Sequence, residues 1–365
     1  MTRIAIIGAG FTGLCLAHLL QACSTDLEIT VFEKGRGPGG RMSTRRIDAW
    51  HFDHGAQFFT ARHPAFKRFL VPYIDAGIIE PWQPKLVDLA PNAPPYRRGW
   101  FEPHYVAVPA MNSLAQSLAA GTTVVLQHEV KRLQRQGKEW LLQFADGQVS
   151  EPFDWVISTL PASMASALLP AEFTGIQALR RVLYSPSTSL MMGFDEDLQL
   201  PWDAAKVHDS RVTWLVRGAS RPGHLGPDTL LIQSTAVWAR DTADINIRDA
   251  SAELEGALRA LPGFEDLPVA PCRYLHRWRF AALERRADAP AYLDAGLRLA
   301  ACGEWGLEGN VESCYLSALA LYAQMDVLGS RLRTSPQQMA LESSLRADGL
   351  ALSGQPLKTG DQSSS

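Results

Sequence analysis

Three glycines near the start of the chain, Gly8, Gly10 and Gly13, follow an apolar run at 4–7 and precede a stretch with helical apolar spacing at 14–22. That order leaves the segment few conformations. The apolar run reads as a strand buried on both faces. Gly8 permits a tight turn out of it, Gly10 lets the backbone approach a ligand, and Gly13 lets the next helix pack on the strand. With Thr12 in its first turn, that helix aims its unpaired N–H groups and positive dipole end at the turn, a site for a pyrophosphate. A second apolar run, 29–32, ends in Glu33-Lys34, and Glu33 stands 20 residues beyond Gly13. A carboxylate there accepts protons from ribose hydroxyls. Strand, glycines, helix and acid in register predict a dinucleotide-binding βαβ unit.

Composition narrows the remainder. At 365 residues the chain has material for two domains and a sizeable core. A net charge of −3 with both signs interspersed argues against a nucleic-acid surface. No window approaches the ~18–20 apolar residues of a membrane span. The glycines interrupt residues 1–20, so a secretory signal is not expected there. The five cysteines, Cys15, Cys23, Cys272, Cys302 and Cys314, form no CxxC pair. Neither a redox dithiol nor a metal site is therefore indicated, and a reducing cytoplasm is the expected compartment.

Along the chain, Pro72, Pro81, Pro84, Pro91, Pro94, Pro95, Pro103 and Pro109 crowd one region. Such a density predicts an excursion of turns and short edge strands rather than long regular elements. A helix at 112–118, capped by Asn112 or Ser113, a strand at 122–126, an antiparallel meander at 131–149 with turns at Gly137 and Gly147, and a buried strand at 155–160 follow. Strands at 187–194, 212–216 and 230–235 and a helix at 250–261 read as an inserted antiparallel sheet. A strand at 297–301, Gly303-Glu304 and a helix at 311–328 return to the earlier style. The expected division is 1–70, 104–165 and 290–330 as one discontinuous domain, 71–103 and 166–289 as the second, and 331–365 as a polar tail.

The order of motifs resembles the flavin-dependent amine oxidase superfamily, and within it the renalase-like branch. The resemblance rests on the glycine motif with Glu33, on Gly39-Gly40-Arg41, on Asp53-His54-Gly55-Ala56-Gln57-Phe58-Phe59, on His276-Arg277-Trp278-Arg279-Phe280, and on Cys302-Gly303-Glu304 with Val311-Glu312-Ser313-Cys314-Tyr315-Leu316-Ser317-Ala318. It implies an α/β (α+β overall) fold: a GR2-type Rossmann-like FAD-binding domain with an inserted antiparallel-sheet substrate domain. It implies non-covalent FAD, because the cysteines miss the position used for covalent attachment. Arg41 then offers a planar donor fork to phosphate or to the flavin carbonyl edge. Gln57 and Phe58 lie along the flavin, and Val130 matches a backbone contact to adenine. Glu304, where many relatives carry aspartate, binds a ribityl hydroxyl, and the helix from Val311 faces the flavin with its positive end. Asp53 and His54 read as a buried pair fixing their loop.

The substrate pocket is expected between the domains, with Trp238, Arg240, His276, Trp278 and Arg279 as candidates and Trp278 and Trp305 as walls for a flat ring. The resemblance implies oxidation of 2- and 6-dihydro-NAD(P) isomers to NAD(P)+, with hydride passing to FAD N5 and O2 reduced to H2O2. An amine oxidase is the alternative. It would favour an aromatic cage and a lysine near the flavin, and residues 200–300 contain only Lys206. A carotenoid-type desaturase would want an apolar membrane-facing surface, and a non-catalytic flavoprotein would show no reduction by any small donor.

Overall fold

The apolar run Thr2–Ile7 is a central strand of a six-stranded sheet. The structure, a computed structural model, describes residues 1–22 and 26–328; Cys23 and the expected tail at 331–365 lie outside the described residues. Thr2–Ile7 pairs in parallel with Leu27–Phe32 on one side and Trp155–Ser158 on the other. Thr123–Val125 and Leu299–Cys302 extend the sheet in parallel, and Ala291–Asp294 closes one edge antiparallel. Alternation along the strand explains why it is apolar throughout. Ile4 and Ile6 pack under the helices Phe11–Gln21 and Val311–Leu328, while Ala5 and Ile7 face a second core with Trp140, Phe153 and Leu179.

The register sets Ile7 opposite Phe32 and Ser158, and Ser158 opposite Ala301. The carboxyl ends of these strands therefore come level, and Gly8, Glu33, Thr159 and Gly303 emerge along one edge. Ligands of parallel α/β sheets bind at that edge.

A second sheet of seven strands runs in the order Cys272–Arg285, Leu183–Gly193, Thr229–Ser234, Val212–Arg217, Ala204–Val207, Leu86–Ala90, Ala93–Arg98. The expected antiparallel character holds for every neighbouring pair except one, because Ala204–Val207 runs parallel to Leu86–Ala90. That exception arises where a hairpin from the proline-rich region joins the sheet edge, a position that tolerates prolines such as Pro94 and Pro95. Pro72 departs from expectation in another way. It lies inside the helix Pro64–Asp75, whose ladder loses the one N–H that proline lacks.

One face of the second sheet carries Leu190, Met192, Leu230, Ile232 and Leu275 beneath the helices Ala236–Asp241 and Ile247–Arg259. On the opposite face Met191 and Leu231 pack on Phe52. Ser189 and Gln233, on that same face, bond to the backbone of His54 and Gly55.

Candidate active site

The glycine turn forms as its residues require. Gly8 has φ +108°, a conformation side chains rarely adopt, and its N–H donates to the Phe32 carbonyl at 2.8 Å. A Cβ on Gly13 would lie 2.1 Å from the Gly8 carbonyl oxygen, so helix and strand meet only with glycine there. A Cβ on Gly10 would meet nothing within 4 Å. Open space thus coincides with the N-terminus of the helix Phe11–Gln21, which no side chain caps. This is a cradle for phosphate oxygens. The second glycine pair closes it from the side: Gly39 N–H donates to the Ala9 carbonyl at 2.8 Å, and a Cβ on Gly40 would lie 3.3 Å from Gly10 Cα.

Glu33 is bonded into this turn, accepting from Ala9 N–H at 2.9 Å and from Gly35 N–H at 2.7 Å. Each carboxylate oxygen keeps a lone pair, so the group orders the turn with acceptor capacity to spare. Lys34 beside it is exposed. His128 N–H donates to the Glu33 carbonyl at 2.9 Å, which lays the start of the strand at Val130, itself buried, next to the turn. Cradle, carboxylate and adjacent strand end are what a dinucleotide cofactor needs, and the residues fit FAD.

At the far end of the edge, Arg41 and Glu304 meet. The Arg41 guanidinium lies 2.6 Å from the Glu304 carboxylate and also donates to the Phe280 carbonyl at 3.2 Å. Tyr184 O–H donates to the other Glu304 oxygen at 2.9 Å. Burial opposes the charge on Arg41, but the neighbouring carboxylate outweighs it and holds the guanidinium above its ordinary pKa. Burial, with Glu304 beside it, also raises the Tyr184 phenol, so it stays a donor. Gly303 is required here, because a Cβ would lie 2.2 Å from the Trp305 indole nitrogen. Val311 opens the long helix nearby, and Asn310 Oδ1 caps it by accepting from Ser313 N–H at 2.8 Å.

The 53–59 segment is held by residues that carry no motif. Arg221, 9 % exposed, donates to Gln57 Oε1 at 3.2 Å and to the Gln57 carbonyl, and sits 3.4 Å from Asp53. Burial lowers the Arg221 pKa, and Asp53 offsets this only in part. Asp53 further accepts from Thr44 O–H and Met111 N–H. The expected Asp53–His54 pair does not form. His54 turns the other way, 4.9 Å from the His276 ring and 5.1 Å from Trp278, centroid to centroid. Burial, with His276 and Arg45, pushes His54 down to about 4, and burial also lowers His276. The His54 carbonyl accepts from Trp278 Nε1 at 2.9 Å and from Ser189 Oγ at 2.8 Å.

The structure therefore brings His276 and Trp278 together with His54, on the face of the second sheet that meets the 53–59 segment. It separates the other substrate candidates from them. Trp238 is buried in the outer core under the helices and donates to Glu253 at 3.0 Å. Arg279 is exposed, in the irregular stretch between the Ser187–Trp278 and Ser185–Ala282 pairs. Arg240 pairs with Glu284 at 3.2 Å on the surface. Trp305 is not a wall: it is fully buried, stacks on Tyr292, and donates to the Leu160 carbonyl at 3.1 Å. Strand alternation explains one part of this, since Arg277 faces the helices and bonds the Thr242 carbonyl at 3.3 Å while its neighbours His276 and Trp278 face inward.

Phe58 opens onto a cavity of about 500 Å³ lined also by Trp100, His104, Lys206 and Trp214. Its ring packs 4.5 Å from His104, 5.2 Å from Trp100 and 6.1 Å from Trp214. Trp100 and Trp214 carried no sequence signal, because aromatic residues in strands and loops are more often core than pocket. Among the described residues no cluster of three or more His, Cys, Asp or Glu could hold a metal ion, and no helix is long and apolar enough to cross a membrane.

The chain is similar to known proteins. The NAD(P)-binding Rossmann-like domain matches residues 6–72, and the flavin containing amine oxidoreductase family matches residues 97–320. Renalase of Mus musculus is 24 % identical over 349 residues, which covers 88 % of this chain and 98 % of renalase. Coproporphyrinogen III oxidase of Staphylococcus aureus is 36 % identical over 63 residues, only 17 % of this chain and 14 % of that protein. The crystal structure of a provisionally named protoporphyrinogen oxidase from Exiguobacterium sp. 255-15 has the same fold, with a TM-score of 0.69 at 13 % identity over 90 % of this chain and 99 % of that one. With the cradle, the Glu33 carboxylate and the Arg41–Glu304 edge in place, the chain belongs to the flavin containing amine oxidoreductase family, as a renalase-like FAD-dependent oxidoreductase.

Proposed function

We propose that the chain is a flavoprotein oxidase that converts 2- and 6-dihydro-NAD(P) isomers to NAD(P)+, with O2 reduced to H2O2, and that it works in the cytoplasm. The observation that carries the reading is the face formed by His54, His276 and Trp278. Both histidines are held toward the neutral form, and the carboxylates Asp53 and Glu304 are each paired with an arginine. Such a face presents flat rings to a flat substrate, and burial weakens both imidazoles as bases, which disfavours proton abstraction. A dihydronicotinamide needs none, because the lone pair of its own ring nitrogen expels the hydride. FAD supplies the hydride acceptor, and the two electrons pass on to O2.

The remaining residues bind and orient. Residues 1–70, 104–165 and 290–330 form the cofactor domain, and 71–103 with 166–289 the substrate domain. Gly8, Gly10, Thr12, Gly13, Glu33, Lys34 and Val130 surround the adenosine and pyrophosphate end. Gly40, Arg41, Gln57, Phe58, Gly303, Glu304 and Val311 surround the flavin end. The cofactor is held non-covalently: burial raises the thiols of Cys302 and Cys314, the latter to about 11 with Glu304 adding to the effect, which leaves them poor nucleophiles.

The aromatic wall of Phe58, Trp100 and Trp214 with Lys206 favours a second reading, an amine oxidase. Aerobic turnover separates the two. With 6-dihydro-NAD the protein should form NAD+ and H2O2 in equal amounts. An amine that yields carbonyl product and H2O2, with the dihydro isomers unchanged, would replace the first reading by the second.

A further inference from the structure

We infer that the cavity beside Phe58 binds an anion carrying a planar ring and, resting on the dinucleotide reading above, that its occupant is the adenosine-phosphate half of the donor. Its volume of about 500 Å³ lies within the roughly 300–1,000 Å³ of small-molecule sites. Phe58, Trp100 and Trp214 supply aromatic surface for a flat ring. The indole N–H groups of Trp100 and Trp214 are both buried without an acceptor. Buried donors in native proteins are almost always satisfied, so two orphans at one cavity wall point to an acceptor that the ligand brings.

Charge defines that acceptor. Arg98 at the wall is paired with Asp88 at 3.2 Å, and Glu102 with Arg62 at 2.6 Å. Lys206, opposite Trp214 in the strand register, has no ion-pair partner among the described residues. The uncommitted charge is positive and beside two free N–H donors, which suits phosphate or carboxylate oxygens. Phe58 follows Gln57 in the chain, so the cavity adjoins the segment that Arg221 fixes.

The test titrates the FAD-loaded protein, following tryptophan fluorescence, with ADP-ribose, which carries adenine and phosphates but no hydride to give. A second probe, benzoate, is an anionic ring without a nucleotide. ADP-ribose should bind saturably and compete with 6-dihydro-NAD. Its binding should weaken about tenfold or more in Lys206→Met and in Trp214→Phe, which keeps a ring and removes the N–H. Lys138→Met, in an exposed hairpin turn, should bind as wild type. Equal binding by wild type and both cavity variants, or no binding of either probe, overturns the cavity assignment. Benzoate binding that depends on Lys206, with no ADP-ribose binding, leaves the anion-and-ring cavity standing and overturns the dinucleotide reading.

Discussion

The Arg41 guanidinium and the Glu304 carboxylate sit 2.6 Å apart, joining the second glycine turn to the end of the strand Leu299–Cys302. Tyr184, from the second sheet, completes the contact. One buried carboxylate thereby ties the second glycine turn and the strand Leu299–Cys302 to the second sheet. Glu304 is nearly enclosed at 4 % side-chain exposure, whereas Arg41 is 30 % exposed.

Removing the acid should therefore cost more than a surface pair would. Glu304→Ala leaves Arg41 without its carboxylate, a loss on the order of 2 kcal/mol, below the ~3–5 of a fully enclosed pair because water reaches Arg41. The urea midpoint and the FAD content after gel filtration should both fall. A wild-type midpoint with full FAD would show that the pair holds nothing together.

The glycines separate fold from binding. Gly13→Ala places its methyl 2.1 Å from a backbone oxygen and should lower the melting temperature even of the apoprotein. Gly10→Ala meets nothing within 4 Å, and Gly10 has φ −72°. Its apoprotein should melt within about 0.5 kcal/mol of wild type, yet bind FAD at least about tenfold more weakly, because the methyl fills the phosphate cradle. Wild-type FAD affinity in Gly10→Ala would remove the cradle from this position.

Glu33 orders the turn and is proposed to bind the ribose, and one variant tests both. Glu33→Ala strips the acceptor from Ala9 N–H and Gly35 N–H, costing about 1–3 kcal/mol, and removes the proposed ribose acceptor as well. Purified protein should lose yellow colour on gel filtration. If it stays fully loaded and holds FAD as tightly as wild type, the ribose assignment is wrong.

Stability should depend on His54 in mild acid. An unfolded chain protonates this ring near 6.5, whereas burial, His276 and Arg45 hold the folded ring down to about 4. The unfolded state thus binds more protons between these values. Stability from the neutral ring, fully present above 6.5, is lost as pH falls through that window. At ~1.4 kcal/mol per pKa unit the loss is up to about 3 kcal/mol. His54→Phe should flatten this part of the midpoint-against-pH curve, and an unchanged slope would show that the ring is not buried neutral.

The glycine turn and its acid were legible because their geometry is local. A strand, a glycine turn, a helix and an acid lie within one short stretch, and backbone sterics leave them one arrangement. The pairing of Arg41 with Glu304 was not legible. Both residues carried motif signals, but their contact depends on the register of Leu299–Cys302 against Trp155–Ser158, which no local pattern encodes. Trp238 and Arg279 were misplaced for a related reason: facing direction in the second sheet follows strand parity and bulges, and the sequence around 279–281 hides a register shift. Arg221 and Tyr184 were missed outright. Each sits alone in its segment and acquires a role only when the second sheet closes on the first.

The central claim, a dihydronicotinamide isomer as the electron donor, is tested most directly by anaerobic stopped-flow mixing. The oxidised protein is mixed separately with 2- and 6-dihydro-NAD, with ordinary NADH and with a panel of primary and secondary amines, and the visible flavin absorbance is followed. Rapid bleaching by the dihydro isomers, with one NAD+ formed per flavin, is the predicted result. Rapid bleaching by an amine, with the isomers inert, would contradict it.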